Sequence, residues 1–236
     1  MAWDIHRLDT CASTMDEARQ RAAAGAEHGT VVVAPTMTDG RGQHDRAWHA
    51  PEGGLYLSMV LRGLDNPRLL TLALGNAVAD VLEVAGAQPA LKWVNDVLVD
   101  DRKVAGILAE AESTGDQVDF IVAGIGVNVN GKAADFPDDL KGTAATLEDI
   151  LGAESCIEDL ESYLLDEITR QLRLLEDGRG DEVVAAWRRR DALAGQAVDV
   201  DGVAGEAAGI DDAGHLLVRT PDGEQTVAAG TVRLVA

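Results

Sequence analysis

Apolar and polar positions along the chain switch between a two-residue and a 3.6-residue period, and each switch marks an expected element. Trp3 to Leu8 alternates like a strand. Ser13-Thr14 followed by Asp16 and Glu17 predicts a helix start by capping logic, with Gly25 as its end. Thr30 to Ala34 is β-branched and strand-like, Pro35 to Ala47 is a polar, glycine-bearing loop, and Leu55 to Leu61 returns to strand character. Leu69, Leu72, Ala73, Ala77, Val81 and Val84 stand at helical spacing within Arg68 to Ala85, closed by Gly86. The strongest hairpin pattern follows, with Val97 to Val99 and Val104 to Leu108 flanking the polar turn Asp100-Asp101-Arg102-Lys103. Val118 to Asn130 reads as a further strand or strand pair.

Gly131 to Gly142 is a polar connection, after which Ile157 to Leu175 and Asp181 to Leu193 carry helical patterns. Beyond Gly195 the texture changes. Asp201-Gly202, Gly205, Ala213-Gly214, Pro221-Asp222-Gly223 and Gly230 separate short strands such as Leu216 to Thr220 and Thr231 to Val235. The expected architecture is α+β: a domain of mixed sheet and helices over residues 1–193, then a small barrel-like β module over 194–236.

Charge narrows the partners. The 236 residues carry 41 acidic and 20 basic side chains, a formal net charge of −21, and this field disfavours nucleic acid and anionic membrane surfaces alike. No apolar run approaches the ~18 residues of a membrane span, and Met1-Ala2-Trp3-Asp4 lacks the features of a signal peptide, so a cytoplasmic location is expected. Two distant cysteines, Cys11 and Cys156, form no disulfide framework. The five histidines, His6, His28, His44, His49 and His215, lack metal-ligand spacing. Abundant acids, only four lysines, and plentiful Ala and Gly suit a surface adapted to high salt, so a halophilic source is expected.

Three segments carry chemistry. Gly40-Arg41-Gly42-Gln43-His44-Asp45-Arg46-Ala47-Trp48 places two arginines and an indole on a loop between strands, where glycines admit close approach and guanidinium forks suit phosphate or carboxylate. On spacing alone it reads equally as a surface loop with incidental arginines. It is no P-loop, because no Gly-Lys-Ser/Thr follows. Lys92-Trp93-Val94-Asn95-Asp96, with Lys103 at the following turn, packs cation, amide and carboxylate into one segment of a kind that phosphoryl chemistry uses. As a bare pentapeptide it reads more readily as a strand end with solvated charges, and its company with the arginine loop reverses that preference. Gly124-Ile125-Gly126-Val127-Asn128 is half a dinucleotide fingerprint without its helix, and fits better as a strand whose glycines admit a flat ligand, with Asn128 offering an amide to a base edge.

Together with Ser13-Thr14 and Asp101 to Glu110, these segments resemble the biotin protein ligases, the biotin–[acetyl-CoA carboxylase] ligases of the class II synthetase-like superfamily, from about Ser13 to Val235. The resemblance implies a class II synthetase-like catalytic domain followed by an SH3-like β-barrel. It also implies a two-step reaction: biotin and ATP give biotinyl-5′-AMP and pyrophosphate, and a lysine of a biotin carboxyl carrier domain then takes the biotinyl group. Carried over by position, Arg41, Lys92, Lys103 and Asp96 would be catalytic. Ser13, Thr14, Met37, Gly40, Arg41, Lys92, Gly106 and Leu108 would bind biotin. Arg41, Arg46, Trp48, Asn95 and Asn128 would bind ATP, and Asp96 would hold Mg²⁺ through water.

The pattern is not met everywhere. Met15, Met37, Gln43 and Val94 stand where the family commonly has asparagine, glutamine, arginine and proline. Met37 removes a polar partner for biotin and Gln43 removes a charge near the intermediate. A biotin-sensing repressor is the alternative outside enzymes, but ligase-like sequence begins at Ser13 and leaves no expected room for a helix-turn-helix. A lipoate ligase of the same superfamily is the alternative among enzymes. A homodimer is compatible with the resemblance.

Overall fold

The computed structural model describes residues 2–43, 46–64, 67–115 and 117–235; His44 and Asp45 of the arginine loop lie outside the described residues, as do Met1, Asp65, Asn66, Asp116 and Ala236. A seven-stranded mixed sheet organises the larger part. Its strands are β1 (Asp4–Arg7), β2 (Thr30–Ala34), β5 (Leu55–Leu61), β6 (Pro89–Lys92), β7 (Asp96–Val99), β8 (Arg102–Thr114) and β9 (Gln117–Val127), in the order β1-β2-β5-β9-β8-β7-β6. Only β1 and β2 run parallel; every other neighbouring pair is antiparallel.

The sheet's two faces differ because its side chains alternate. On one face Leu55, Leu57, Met59 and Leu61 of β5 join the main core with α2 (Pro67–Val84), α4 (Ile157–Glu176) and α5 (Gly180–Arg188). On the other, α1 (Thr14–Ala23) lays Met15, Ala18 and Ala22 on Val32, Val60 and Val122. α1 covers only part of that face. Cross-strand register then sets two neighbouring rows beside it: Ser58, Gly124 and Leu108, and Tyr56, Gly126, Gly106, Asp96 and Lys92. Three of these positions are glycine, so the sheet is bare where α1 stops.

Local chemistry explains where the elements depart from expectation. The β7–β8 turn is the pair Asp100-Asp101, both in the left-handed region at φ 50° and 59°, so Arg102 and Lys103 belong to β8 and Lys103 is not a turn residue. α5 ends at Arg188, five residues short of the expected Leu193, because the chain beyond it pairs with β6: Leu91 N–H donates to Arg190 O at 2.7 Å and Ala192 N–H to Leu91 O at 2.9 Å. Burial raises the Asp191 carboxyl within this junction. The short helix α3 (Leu147–Leu151) carries no readable period. It is set by its caps, Thr146 Oγ1 accepting from Asp149 N–H at 3.1 Å and Gly152 at φ 75°. The loop expected over Pro35 to Ala47 holds a two-rung hairpin of β3 (Gly40–Arg41) and β4 (Ala47–Trp48).

The C-terminal part is a five-stranded antiparallel sheet of β10 (Ala197–Val200), β11 (Val203–Ile210), β12 (Leu216–Thr220), β13 (Gly223–Val227) and β14 (Val232–Leu234), ordered β13-β12-β11-β10-β14. Among the described residues no ladder joins β13 to β14, so the sheet is not closed into a barrel. Trp93 ties it to the larger part, its indole N–H donating to Gly214 O at 3.0 Å.

Candidate active site

A cavity of about 760 Å³ opens on the bare face of the large sheet. Its floor requires glycine. A Cβ on Gly126 would come within 2.7 Å of the Trp48 ring, one on Gly106 within 2.9 Å of the same ring, and one on Gly124 within 2.6 Å of Met15 Sδ. Trp48 thus lies flat against two strands, and Met15 packs down on a third position.

Around the first row the cavity is apolar with a polar rim. Met15, Met37, Leu108 and Ile125 line it, together with Ser13, Thr14 and Ser58. Thr14 and Ser58 share a hydroxyl hydrogen bond of 2.8 Å, and the Thr14 N–H donates to Met37 Sδ at 3.3 Å. The thioether therefore caps the first turn of α1 in place of the Ser13 side chain, which makes no capping bond. Ser13 Oγ is buried without a partner among the described residues, a polar atom left for a ligand.

Cations gather around the second row. Arg41, Arg46, Lys92 and Lys103 all line the cavity. Lys103 Nζ sits 2.5 Å from Asp96 Oδ1 and 5.2 Å from the centre of the Trp48 ring, which fixes it from two sides. Arg41 donates to Asp16 Oδ1, while its buried Nε has no partner among the described residues. Arg46 reaches across to the C-terminal part and donates to Thr231 Oγ1 at 2.9 Å. Among the described residues the Lys92 ammonium has neither an ion-pair nor a hydrogen-bond partner, and Trp48 Nε1 is likewise buried and unpaired. Lys92 follows Leu91, whose backbone is gripped by Arg190 and Ala192, so its position is set by the junction between the two parts. Its neighbour Trp93 is joined to Val94 by a cis peptide bond.

Asn95 and Asn128 both line the cavity, but each already spends its amide on the fold: Asn95 Nδ2 donates to Ile107 O at 2.9 Å and Asn128 Nδ2 to Ala145 O at 3.2 Å. Gly106 and Leu108 stand in the floor. Gly40 does not line the cavity; its Cα packs against the Trp48 carbonyl, 2.5 Å from where a Cβ would be, so it serves the hairpin that carries Trp48. Among the described residues no three His, Cys, Asp or Glu side chains gather as a metal cage. Asp96 is a lining carboxylate already opposed by Lys103, a donor that fits a magnesium ion arriving on a polyphosphate.

Several lining residues escaped the reading of the sequence. Ser58 lies inside an apolar strand, and only the register opposite Gly124 shows that it faces the cavity. Phe136 and Leu140 come from the polar connection and Thr143 and Ala144 directly follow it, drawn in where Lys103 N–H donates to Thr143 O and Ala145 N–H to Lys103 O. Thr231, Val232 and Leu234 bring the C-terminal sheet to the cavity wall. Nearby Cys11 lies outside the lining, and burial, with Glu17 and Asp16 adding to it, pushes its thiol up, away from the reactive thiolate.

A slot with apolar walls thus runs into four cations on an α+β scaffold. The profile of the biotin/lipoate A/B protein ligase family matches residues 9–128, and that of the biotin protein ligase C-terminal domain matches residues 195–235. The bifunctional ligase/repressor BirA of Bacillus subtilis is 33% identical over 96% of this chain and 72% of its own. The biotin–[acetyl-CoA-carboxylase] ligase of Mycobacterium tuberculosis is 34% identical over 93% of this chain and 85% of its own. Among solved structures, the biotin protein ligase from Aquifex aeolicus in complex with biotin and ATP superimposes with a TM-score of 0.87 at 28% identity, covering 98% of both chains. The chain belongs to the biotin protein ligases of the biotin/lipoate A/B protein ligase family.

Proposed function

We propose that this protein activates biotin with ATP and transfers it to a lysine of a biotin carboxyl carrier domain. The observation that carries the reading is the continuity of the apolar slot at Met15, Leu108 and Gly124 with the cations Arg41, Lys92, Lys103 and Arg46 on one sheet face. Biotin has that form, a neutral bicyclic head and a carboxylate at the end of an alkyl chain. In this reading Ser13, Thr14 and Ser58 meet the ureido end, Met37 lies beside it, and Gly106 and Leu108 flank the chain.

A biotin carboxylate oxygen bonds to the α-phosphorus of ATP, the bond to the β-phosphate oxygen breaks, and pyrophosphate leaves. The unpaired Lys92 ammonium stands where it can meet both carboxylate and phosphate as negative charge builds. Lys103, held by Asp96, adds a second cation, and Arg41 and Arg46 hold phosphate oxygens. Trp48 and Asn128 flank the nucleotide base beside Asn95. Asp96 would hold magnesium through water, and the ion would neutralise charge on the phosphates. In the second step the neutral amine of a carrier lysine attacks the acyl carbon, the acyl–phosphate bond breaks, AMP leaves, and one proton is released.

We further take residues 1–193 as the catalytic domain and 194–236 as a separate C-terminal domain. The net charge of −21 supports a protein of high-salt cytoplasm that works without nucleic acid. No helix among the described residues is long and apolar enough to cross a membrane. A homodimer is compatible with this reading. Biotin-dependent exchange of labelled pyrophosphate into ATP tests the first step. Exchange with biotin and none with lipoate is the expected result, and the reverse preference makes the protein a lipoate ligase.

A further inference from the structure

We propose that Asp16, on the first turn of α1 and outside the cavity lining, is a positioning residue that aims Arg41 at the nucleotide phosphates. The inference rests on the proposed ATP site and deepens it. Arg41 extends from a short hairpin, and its side chain has several rotatable bonds that an exposed loop does not constrain. Asp16 Oδ1 accepts from Arg41 Nη2 and is itself no part of the cavity lining, and among the described residues the buried Nε–H has no partner. A guanidinium tethered by one nitrogen and open at another can receive an anion without first being ordered, which is where preorganisation adds affinity.

Asp16 is itself held. The same oxygen accepts from Arg19 Nη1 at 3.3 Å, and Arg19 in turn pairs with Glu110 Oε2 and, at 3.1 Å, with Glu112 Oε1 on β8. β8 also contributes Gly106 and Leu108 to the cavity floor. The chain Arg41, Asp16, Arg19, Glu110 therefore joins the arginine loop to α1 and to the floor strand. All three of Asp16, Arg19 and Arg41 are partly exposed, at 40%, 28% and 34%, so the pairing is reversible and open to substitution. The bland reading is that Asp16 is a first-turn acid favouring the helix dipole, but Glu17 occupies the same turn and supplies that effect without it.

A double-mutant cycle on ATP affinity separates these readings. Binding of ATP to the full chain is measured by calorimetry for wild type, Asp16→Ala, Arg41→Ala and the double variant, with Asp16→Asn as a shape-conserving control and the melting temperature recorded for each. Asp16→Ala is expected to weaken ATP binding by about fivefold or more, and to cause no further loss once Arg41 is alanine. Asp16→Asn is expected to fall between, with an unchanged melting temperature. Equal losses in both backgrounds, unchanged binding, or tighter binding from release of a competing carboxylate each overturn the proposal. Pyrophosphate exchange in the wild type is read separately: ATP binding without biotin-dependent exchange refutes the proposed function while the cycle still judges Asp16. A wild type that binds no ATP refutes both.

Discussion

The Trp48 indole occupies the space that a side chain on Gly126 would need, 2.7 Å from the position of its Cβ. Nothing flexible can yield there, because the ring is also packed on Gly106 and under Lys103. Gly126→Ala is therefore expected to lift the indole, release Lys103 from the ring, and cost about 1–3 kcal/mol of stability by overpacking. The loss of nucleotide affinity should exceed the loss of biotin affinity. Calorimetric titrations with each ligand check this, and equal affinities with an unmoved tryptophan emission spectrum contradict it.

Lys92 stands apart from the other three cations because among the described residues it has no partner to satisfy before reaction. On the proposed reaction its charge matters most when the pentacoordinate phosphorus gathers negative charge, so Lys92→Ala should leave biotin binding nearly intact. Adenylate formation should slow by about 10²-fold or more, as for the loss of a preorganised donor of this kind. Single-turnover formation of biotinyl-AMP is the measurement, and an undiminished rate removes Lys92 from the chemistry.

Much of this was legible in order, and the rest was hidden by pairing. The strands at Thr30 to Ala34 and Leu55 to Leu61 match their apolar patterns because both are buried throughout. Arg41, Lys92, Asp96 and Lys103 announce themselves as polar groups at glycine-rich or apolar breaks. Ser58 does not, since its neighbours Leu57 and Met59 face the opposite side and local pattern cannot say what lies across the sheet. Thr231 is invisible for a similar reason: its role depends on Arg46, 185 residues away. Asp16 looks like any helix-starting acid until the hairpin carrying Arg41 folds back over it.

Glu148 offers a pH test with a definite sign. A hydrogen bond from Lys132, then one from the Gly131 N–H, holds its carboxyl below the usual range. A depressed carboxyl contributes stability that is present above its unfolded value, about 4.3, and is lost as pH falls through the folded value. Lys132→Met should therefore lower the melting temperature at pH 7, and the gap to wild type should close as pH falls below about 4. Comparing the two proteins cancels the general relief of acid repulsion. A gap that stays constant from pH 7 to pH 3 contradicts the assignment.

With a formal net charge of −21, folding should also depend on salt. Lowering ionic strength from 1 M to 0.01 M stretches the Debye length from about 3 to about 30 Å, so that acids across the whole surface repel one another. The melting temperature is expected to fall steadily over that range. A value independent of salt refutes the halophilic reading.

The central claim is that one cavity carries biotin from free acid to protein-bound amide. Incubating the purified chain with labelled biotin, ATP, magnesium and a biotin carboxyl carrier domain tests it most directly, with the labelled residue located by mass spectrometry. The account predicts ATP-dependent label on one carrier lysine, with AMP and pyrophosphate formed in equal amounts. Absence of label on the carrier, while a known biotin protein ligase labels it under the same conditions, contradicts the account.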